Sequence, residues 1–136
     1  MEKDKIKIKI ISHEKIVFEK DAKGIYLQGT EGRFGILPNH IAITSALDIG
    51  VTKVVTDSKP IFLTTMGGVL QFQNNEAVIL TDMAELGSDI DLARAKQAHE
   101  RAKARLEAQT SEVEIMQAQL SLAKAIARLK AGRAQE

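Results

Sequence analysis

The chain contains no cysteine, no tryptophan and only two prolines in 136 residues. Without a thiol there is no disulfide, no thiolate nucleophile and no cysteine-ligated zinc, a composition that suits a reducing compartment. No charge sign dominates either: 19 lysines and arginines against 18 acids leave a formal net charge of +1, which removes nucleic acid as a default partner. No apolar run approaches the roughly 18–20 residues that span a bilayer, and the segment 1–9 alternates charge with isoleucine rather than forming the apolar core of a signal peptide. A soluble protein without direct membrane insertion, used where it is made, is therefore expected. The histidines His13, His40 and His99 lie too far apart in sequence to suggest a metal or catalytic cluster.

What aromatic character exists is unevenly spread. The four phenylalanines, the single tyrosine and both prolines all precede Leu86, whereas residues 88–136 are an Ala-, Lys-, Arg- and Glu-rich stretch without any of them. The two parts cannot share one kind of core, so two modules are expected, a β-module over 1–86 and a helical one over 87–136. In the first, Ile6, Ile8 and Ile10 alternate with Lys5, Lys7 and Lys9, the period-2 pattern of a half-buried strand. Short runs of the same kind follow at 16–19, 25–28, 41–46, 51–56, 61–65, 69–73 and 77–81. Turn residues separate them at Asp21–Gly24, Asp48–Gly50, Asp57–Pro60 and Asn74-Asn75. Gly67-Gly68 reads equally as a hairpin turn or as a bend within one long strand. The sum is a sandwich of two antiparallel sheets.

The stretch GTEGRFGILPNHIAITSAL at 29–47 interrupts this rhythm. Gly29, Gly32 and Gly35 permit positive φ or close backbone approach, and Pro38 pushes Leu37 into an extended conformation, so a shaped loop presenting a surface is expected. Glu31, Arg33 and His40 flank an apolar Phe34–Leu37 segment that serves either a partner or the sandwich's own core, Ile36 above all.

After Leu86 the period changes. Gly87 breaks the last strand, and Ser88 with Asp91 three residues on reads as a helix start. Ala95, Ala98, Ala102 and Leu106 recur at helical spacing, as do Ile115, Leu122, Ile126 and Leu129 beyond a polar break at 109–112. A hairpin with so small a seam buries little, at roughly 0.8 kcal/mol per carbon group, and is expected to be marginal alone and easily re-docked. Within it, IDLARA at 90–95 places Asp91, Arg94, Ala98 and Arg101 on one helix face. Two guanidinium groups beside small alanines suit a phosphate, and Lys124 or Arg128 from the second helix can close the clamp. The same residues also read as an ordinary solvated Asp91–Arg94 ion pair. There is no Walker-type loop, and no serine or threonine has a plausible base beside it.

This layout of β-module, GRFGILPNHIAIT loop and helix pair resembles the epsilon subunit of bacterial F-type ATP synthases over nearly the whole chain. The resemblance implies a non-catalytic rotor subunit of a proton- or sodium-translocating enzyme, peripheral on the cytoplasmic face of the bacterial plasma membrane. It implies a sandwich that joins the gamma subunit to the c-ring, with the Glu31–Arg33 end facing the ring and His40 near gamma. It further implies a hairpin that either folds on the sandwich or extends toward the catalytic alpha/beta subunits and inhibits ATP hydrolysis. No cofactor is required, but ATP is implied as a regulatory ligand through a motif met here by Ile90, Asp91, Arg94 and Ala95, with Glu85, Arg101 and Arg128 at other contact positions. Lys124 stands where an ATP-binding relative has arginine, which keeps charge and loses the planar fork. The rival readings are a nucleotide-sensing or scaffold protein unrelated to the synthase, whose β-module binds another helical partner, and a small enzyme dependent on His40.

Overall fold

The computed structural model describes residues 3–108 and 111–136, which form eight strands, one 3-10 turn and two helices. Strands β1 (Ile6–Ser12) and β2 (Lys15–Ala22) make a hairpin, as do β3 (Gly24–Gly29) and β4 (Gly32–Ile36). Strands β5 (Ile43–Val55) and β6 (Ile61–Gln73) are long, and β7 (Glu76–Leu80) and β8 (Ala84–Leu86) are short. Hydrogen bonding follows the path β2-β1-β7-β6-β5-β3-β4, with β8 beside β6. All pairs among the described residues are antiparallel except β1 with β7, which is parallel.

Two layers arise because β5 and β6 serve both. The C-terminal part of β6 pairs with β7 from Val69 to Gln73, and its N-terminal part pairs with β8 from Leu63 to Thr65. Gly67 and Gly68, both at positive φ, sit at the changeover. A side chain on Gly68 would collide with the Leu80 carbonyl, so only glycine lets β6 hand over from one layer to the other. Between the layers lies one core, in which Ile6, Ile8, Ile10, Ile25, Leu27, Ile36, Leu63, Leu70, Phe72 and Ile79 are fully buried. The alternation of β1 explains its share, since Lys5 and Lys7 point away from the core.

Several expected boundaries shift. The runs at 41–46 and 51–56 belong to one strand, so Asp48–Gly50 is no turn: Ile49 and Gly50 pair in register with Met66 and Thr65. Of the two readings of Gly67-Gly68, the structure shows the bend within one long strand. The glycine-rich segment is not all loop, for Gly32–Ile36 forms β4, with Ile36 fully buried and Phe34 packed on the core. Of that apolar segment only Leu37 stays exposed. The first helix also starts later than Ser88 implies. Residues Gly87–Asp89 form a 3-10 turn, and α1 (Leu92–Ala108) begins after Asp91, whose carboxylate accepts from the Arg94 backbone N–H at 3.0 Å. Asp91 is therefore the capping residue. Ser111 caps α2 (Glu112–Gln135) through the Glu114 N–H at 3.2 Å, while Gln109 and Thr110 of the expected break lie outside the described residues.

Candidate functional site

Helix α2 has two apolar faces. One, including Ala118, Ala125 and Leu129, meets the Ala95 and Ala102 seam of α1; the other, with Ala127 and Ala131, lies on the outer face of the β3–β4–β5–β6–β8 layer. Small residues make this approach close: a Cβ on Gly87 would come within 2.6 Å of the Ala131 carbonyl oxygen. Two polar clasps hold the helix in place. Arg128 Nε donates to Glu85 Oε1 at 2.8 Å, and the same carboxylate oxygen accepts from Thr64 Oγ1 at 3.3 Å. At the last turn the Gln135 amide accepts from the Phe62 N–H at 2.7 Å and donates to the Pro60 carbonyl at 3.2 Å, taking the place of a neighbouring strand where β8 does not reach. The hairpin is thus folded down on the sandwich.

That docking creates a cleft of about 440 Å³. Its walls come from β8 (Glu85, with Met83 just before it), from the connection to α1 (Asp89, Ile90, Asp91), from α1 (Arg94, Ala95, Ala98, Arg101) and from α2 (Arg128). Every expected nucleotide-site residue is brought together here except Lys124, which lies one turn of α2 before Arg128 and does not line the cleft. The charges are not equivalent. Asp91 is engaged by the helix start and Glu85 by Arg128 and Thr64. Among the described residues Arg94, Arg101 and Asp89 form no ion pair, so the anticipated Asp91–Arg94 side-chain bridge is absent. Two unpaired guanidinium groups in the cleft, Arg94 beside the start of α1 and Arg101 further along it, favour an anion, and Asp89 offers an acceptor for a hydroxyl or amino group. Ala95 and Ala98 leave the depth between them.

The expected partner residues separate. Glu31 is exposed in the β3–β4 turn, and Arg33 lies on the same outer face as α2, its Nη1 donating to the Val51 carbonyl at 2.8 Å. His40 sits beyond the other end of β4. Its Nδ1 donates to the Ile41 carbonyl at 2.7 Å, its ring meets Phe72 edge-on at 5.9 Å, and neighbouring Asn39 bonds Asn75 and Lys3. No serine, threonine or carboxylate is hydrogen-bonded to His40 among the described residues, so a His40-dependent reaction has no geometry to support it.

One surface went unnoticed in the sequence. Register places Ile16, Ile11, Leu80, Val69 and Ala46 side by side across β2, β1, β7, β6 and β5. They lie on the outer face of the layer opposite the hairpin, with Ile16 and Leu80 each 53% exposed and Val69 42%. The signal was present in the alternation, which puts Val69 and Leu80 at outward positions, but only the strand order shows that they are neighbours.

Family comparisons cover the chain in two parts. A model described as the ATP synthase Delta/Epsilon chain beta-sandwich domain matches residues 5–87, and one described as the long alpha-helix domain of the same chain matches 88–132. Among curated relatives, the ATP synthase epsilon chain of Desulforamulus reducens is 36% identical over 92% of this chain and 95% of its own. That of Desulfitobacterium hafniense strain Y51 is 37% identical over 93% and 95%, and the chloroplastic epsilon chain of Staurastrum punctulatum 37% over 95% and 94%. Among solved structures, a chain of the Euglena gracilis mitochondrial ATP synthase OSCP/F1/c-ring complex superposes with a TM-score of 0.85 at 20% identity, covering 96% of this chain and 82% of that one. A chain of the Tetrahymena thermophila mitochondrial ATP synthase central stalk and c-ring gives 0.62 at 16% identity, covering 97% and 99%. At these identities the two structures show the fold alone.

Proposed function

The chain belongs to the epsilon-subunit family of F-type ATP synthases, and on that premise we propose that it is a regulatory subunit whose sandwich fixes the rotor and whose hairpin senses ATP. The observation that carries the sensing is the composition of the cleft. Glu85 belongs to the sandwich, Arg94 and Arg101 to α1 and Arg128 to α2, so the site exists only while the hairpin is folded down. A ligand that binds one conformation stabilises it by mass action, whatever the details of its contacts. ATP fits the chemistry: Arg94 and Arg101 offer donors to phosphate, Arg128 offers the guanidinium nitrogens that Glu85 leaves free, and Asp89 accepts from ribose or base. Lys124 contributes through its charge from one turn away. When ATP is scarce the hairpin leaves the sandwich, reaches the catalytic alpha/beta subunits and blocks hydrolysis. The subunit itself performs no chemistry and needs no cofactor.

For assembly, the Ile16–Ile11–Leu80–Val69–Ala46 row is a contiguous apolar strip of the kind that marks a partner site. We assign it, with His40 at the end of the same layer, to gamma, and the Glu31 turn with Arg33 to the c-ring. On this reading the subunit sits peripherally on the cytoplasmic side of a bacterial membrane; no described helix is long and apolar enough to cross one. Calorimetry of the chain with ATP and ADP tests the sensing, and binding absent at millimolar ATP refutes it. Co-purification with gamma tests the assembly, with Leu80→Lys and Val69→Lys expected to reduce it at least tenfold.

A further inference from the structure

The methionines among the described residues are Met66, Met83 and Met116. Met66 is buried in β6 at 4% exposure, and Met116 projects from α2 at 68%. Met83 combines exposure with a partner. It lies between β7 and β8 with 44% of its surface open, lines the cleft under the hairpin, and has a guanidinium against its sulfur, Arg128 Nη2 donating to Sδ at 3.6 Å. Its backbone is fixed, because its carbonyl accepts from the Met66 N–H at 3.0 Å and from Thr81 Oγ1 at 3.2 Å. The thioether thus belongs to the sandwich and is presented at a set place to a cation carried by α2. A thioether is a weak acceptor, so in this form it adds little to the Arg128–Glu85 clasp beside it.

We propose that Met83 is a site of reversible oxidation whose sulfoxide locks the hairpin down on the sandwich. The oxidant is hydrogen peroxide. A lone pair of Sδ attacks one peroxide oxygen, the O–O bond breaks as the S–O bond forms, and the departing hydroxide takes the proton of the new S–OH and leaves as water. Sulfur loses two electrons and peroxide gains them. In the reverse step two thiols become a disulfide and the sulfoxide oxygen leaves as water. The oxygen matters because it bears a substantial negative charge where the thioether bore almost none. Bonded to Sδ, it can meet Arg128 Nη2 at about 2.8 Å with both side chains in place, the spacing of a charge-assisted hydrogen bond. Arg128 is then gripped at Nε by Glu85 and at Nη2 by residue 83, two points of the same module. The oxygen enters on the open side of the residue, outside the sandwich core, so the gain is not offset by lost packing. Met66 has no such room, and among the described residues Met83 alone of the three carries a hydrogen bond to its sulfur. The lock needs only the docked hairpin, so it stands or falls apart from ATP sensing.

The test treats the full chain carrying Met116→Leu with hydrogen peroxide under native conditions, locates the added oxygen by peptide mass mapping, and follows amide exchange of α2 without nucleotide. Met83 should take up oxygen roughly tenfold faster than Met66. After oxidation α2 amides should exchange about three- to tenfold more slowly, with β1 and β7 amides unchanged. Methionine sulfoxide reductases for both epimers, supplied with a thiol, should restore the original rates. With Met83→Leu added, peroxide should leave α2 exchange as it was. Met83 oxidising no faster than Met66 overturns the inference. A sulfoxide that leaves α2 exchange unchanged or speeds it also overturns it, making oxidation at this residue damage rather than a lock. Slowing that persists in the chain with Met83→Leu overturns it by placing the effect elsewhere.

Discussion

Arg94 and Arg128 carry the same charge into the same cleft but are held differently. Arg128 is tied to Glu85 and is thereby part of the docking clasp, whereas Arg94 is exposed and unpaired among the described residues. A charge-assisted contact to phosphate contributes about 1.5–3 kcal/mol, so Arg94→Ala should weaken ATP binding roughly tenfold to a hundredfold without loosening the hairpin in the absence of ligand. Arg128→Ala should do both, and calorimetry paired with amide exchange of α2 separates them. Most residues that line the cleft could be read from the IDLARA spacing together with the family resemblance, but Asp89 and Met83 were not among them and Lys124, which was, does not line it. Their individual tasks could not be read there, because Asp91 looks the same in sequence whether its carboxylate meets a guanidinium or a backbone N–H. In the β5–β6 turn Asp57 accepts from the Lys23 and Lys5 ammonium groups, which hold its carboxyl below the ordinary carboxylate range, while Asp57 in turn raises the Lys5 ammonium. A depressed carboxyl stabilises the fold above its unfolded pKa, and that contribution is lost as pH falls through the folded value. The Lys5 share is complete below its unfolded pKa and lost as pH rises through the folded one. Asp57→Asn should flatten both limbs of the stability profile, seen as a smaller change of Tm between neutral and acidic pH.

On the proposed reading the deciding element is α2, and its hold on the sandwich is shallow. Alanine contacts contribute about one carbon group each, so the polar clasps matter disproportionately. Gln135→Ala removes two hydrogen bonds and leaves the Phe62 N–H without its partner, at a cost of about 1–2 kcal/mol; α2 amides should then exchange about tenfold faster while β1 and β7 amides are unchanged. Gly87→Val should displace the helix more severely, since the added side chain meets backbone at the Ala131 carbonyl. At this scale the sequence was legible wherever periodicity was unbroken, as in β1 and both helices. It misled where glycine was taken as punctuation. Gly50 lies inside β5, and Gly32–Ile36 is a strand because Phe34 and Ile36 alternate into the core, while at Gly67-Gly68 the sequence left bend and turn equally open and β6 takes the bend. Nothing local distinguishes a glycine that ends a strand from one that lets it bend or approach another backbone; the neighbouring strands decide.

At the scale of the whole molecule, sandwich and hairpin meet, among the described residues, chiefly through one face of α2, the Arg128–Glu85 ion pair and the Gln135 amide, while the sandwich core closes without the hairpin. A chain ending at Gly87 is therefore expected to keep β-type circular dichroism and gamma co-purification and to lose inhibition; an unfolded product would contradict the two-module account. The central claim is that ATP holds the hairpin down on the sandwich. Because the chain has no cysteine, a single pair introduced at Lys59 and Arg133, both exposed and close to the Pro60–Gln135 clasp, can report this separation without background labelling. The measurement is the distance distribution between labels at those two positions in the assembled enzyme, with and without ATP. The account predicts one short separation at saturating ATP and a second, long one that grows as ATP is withdrawn and tracks inhibition of hydrolysis. A single separation that ignores ATP while inhibition still changes would contradict it.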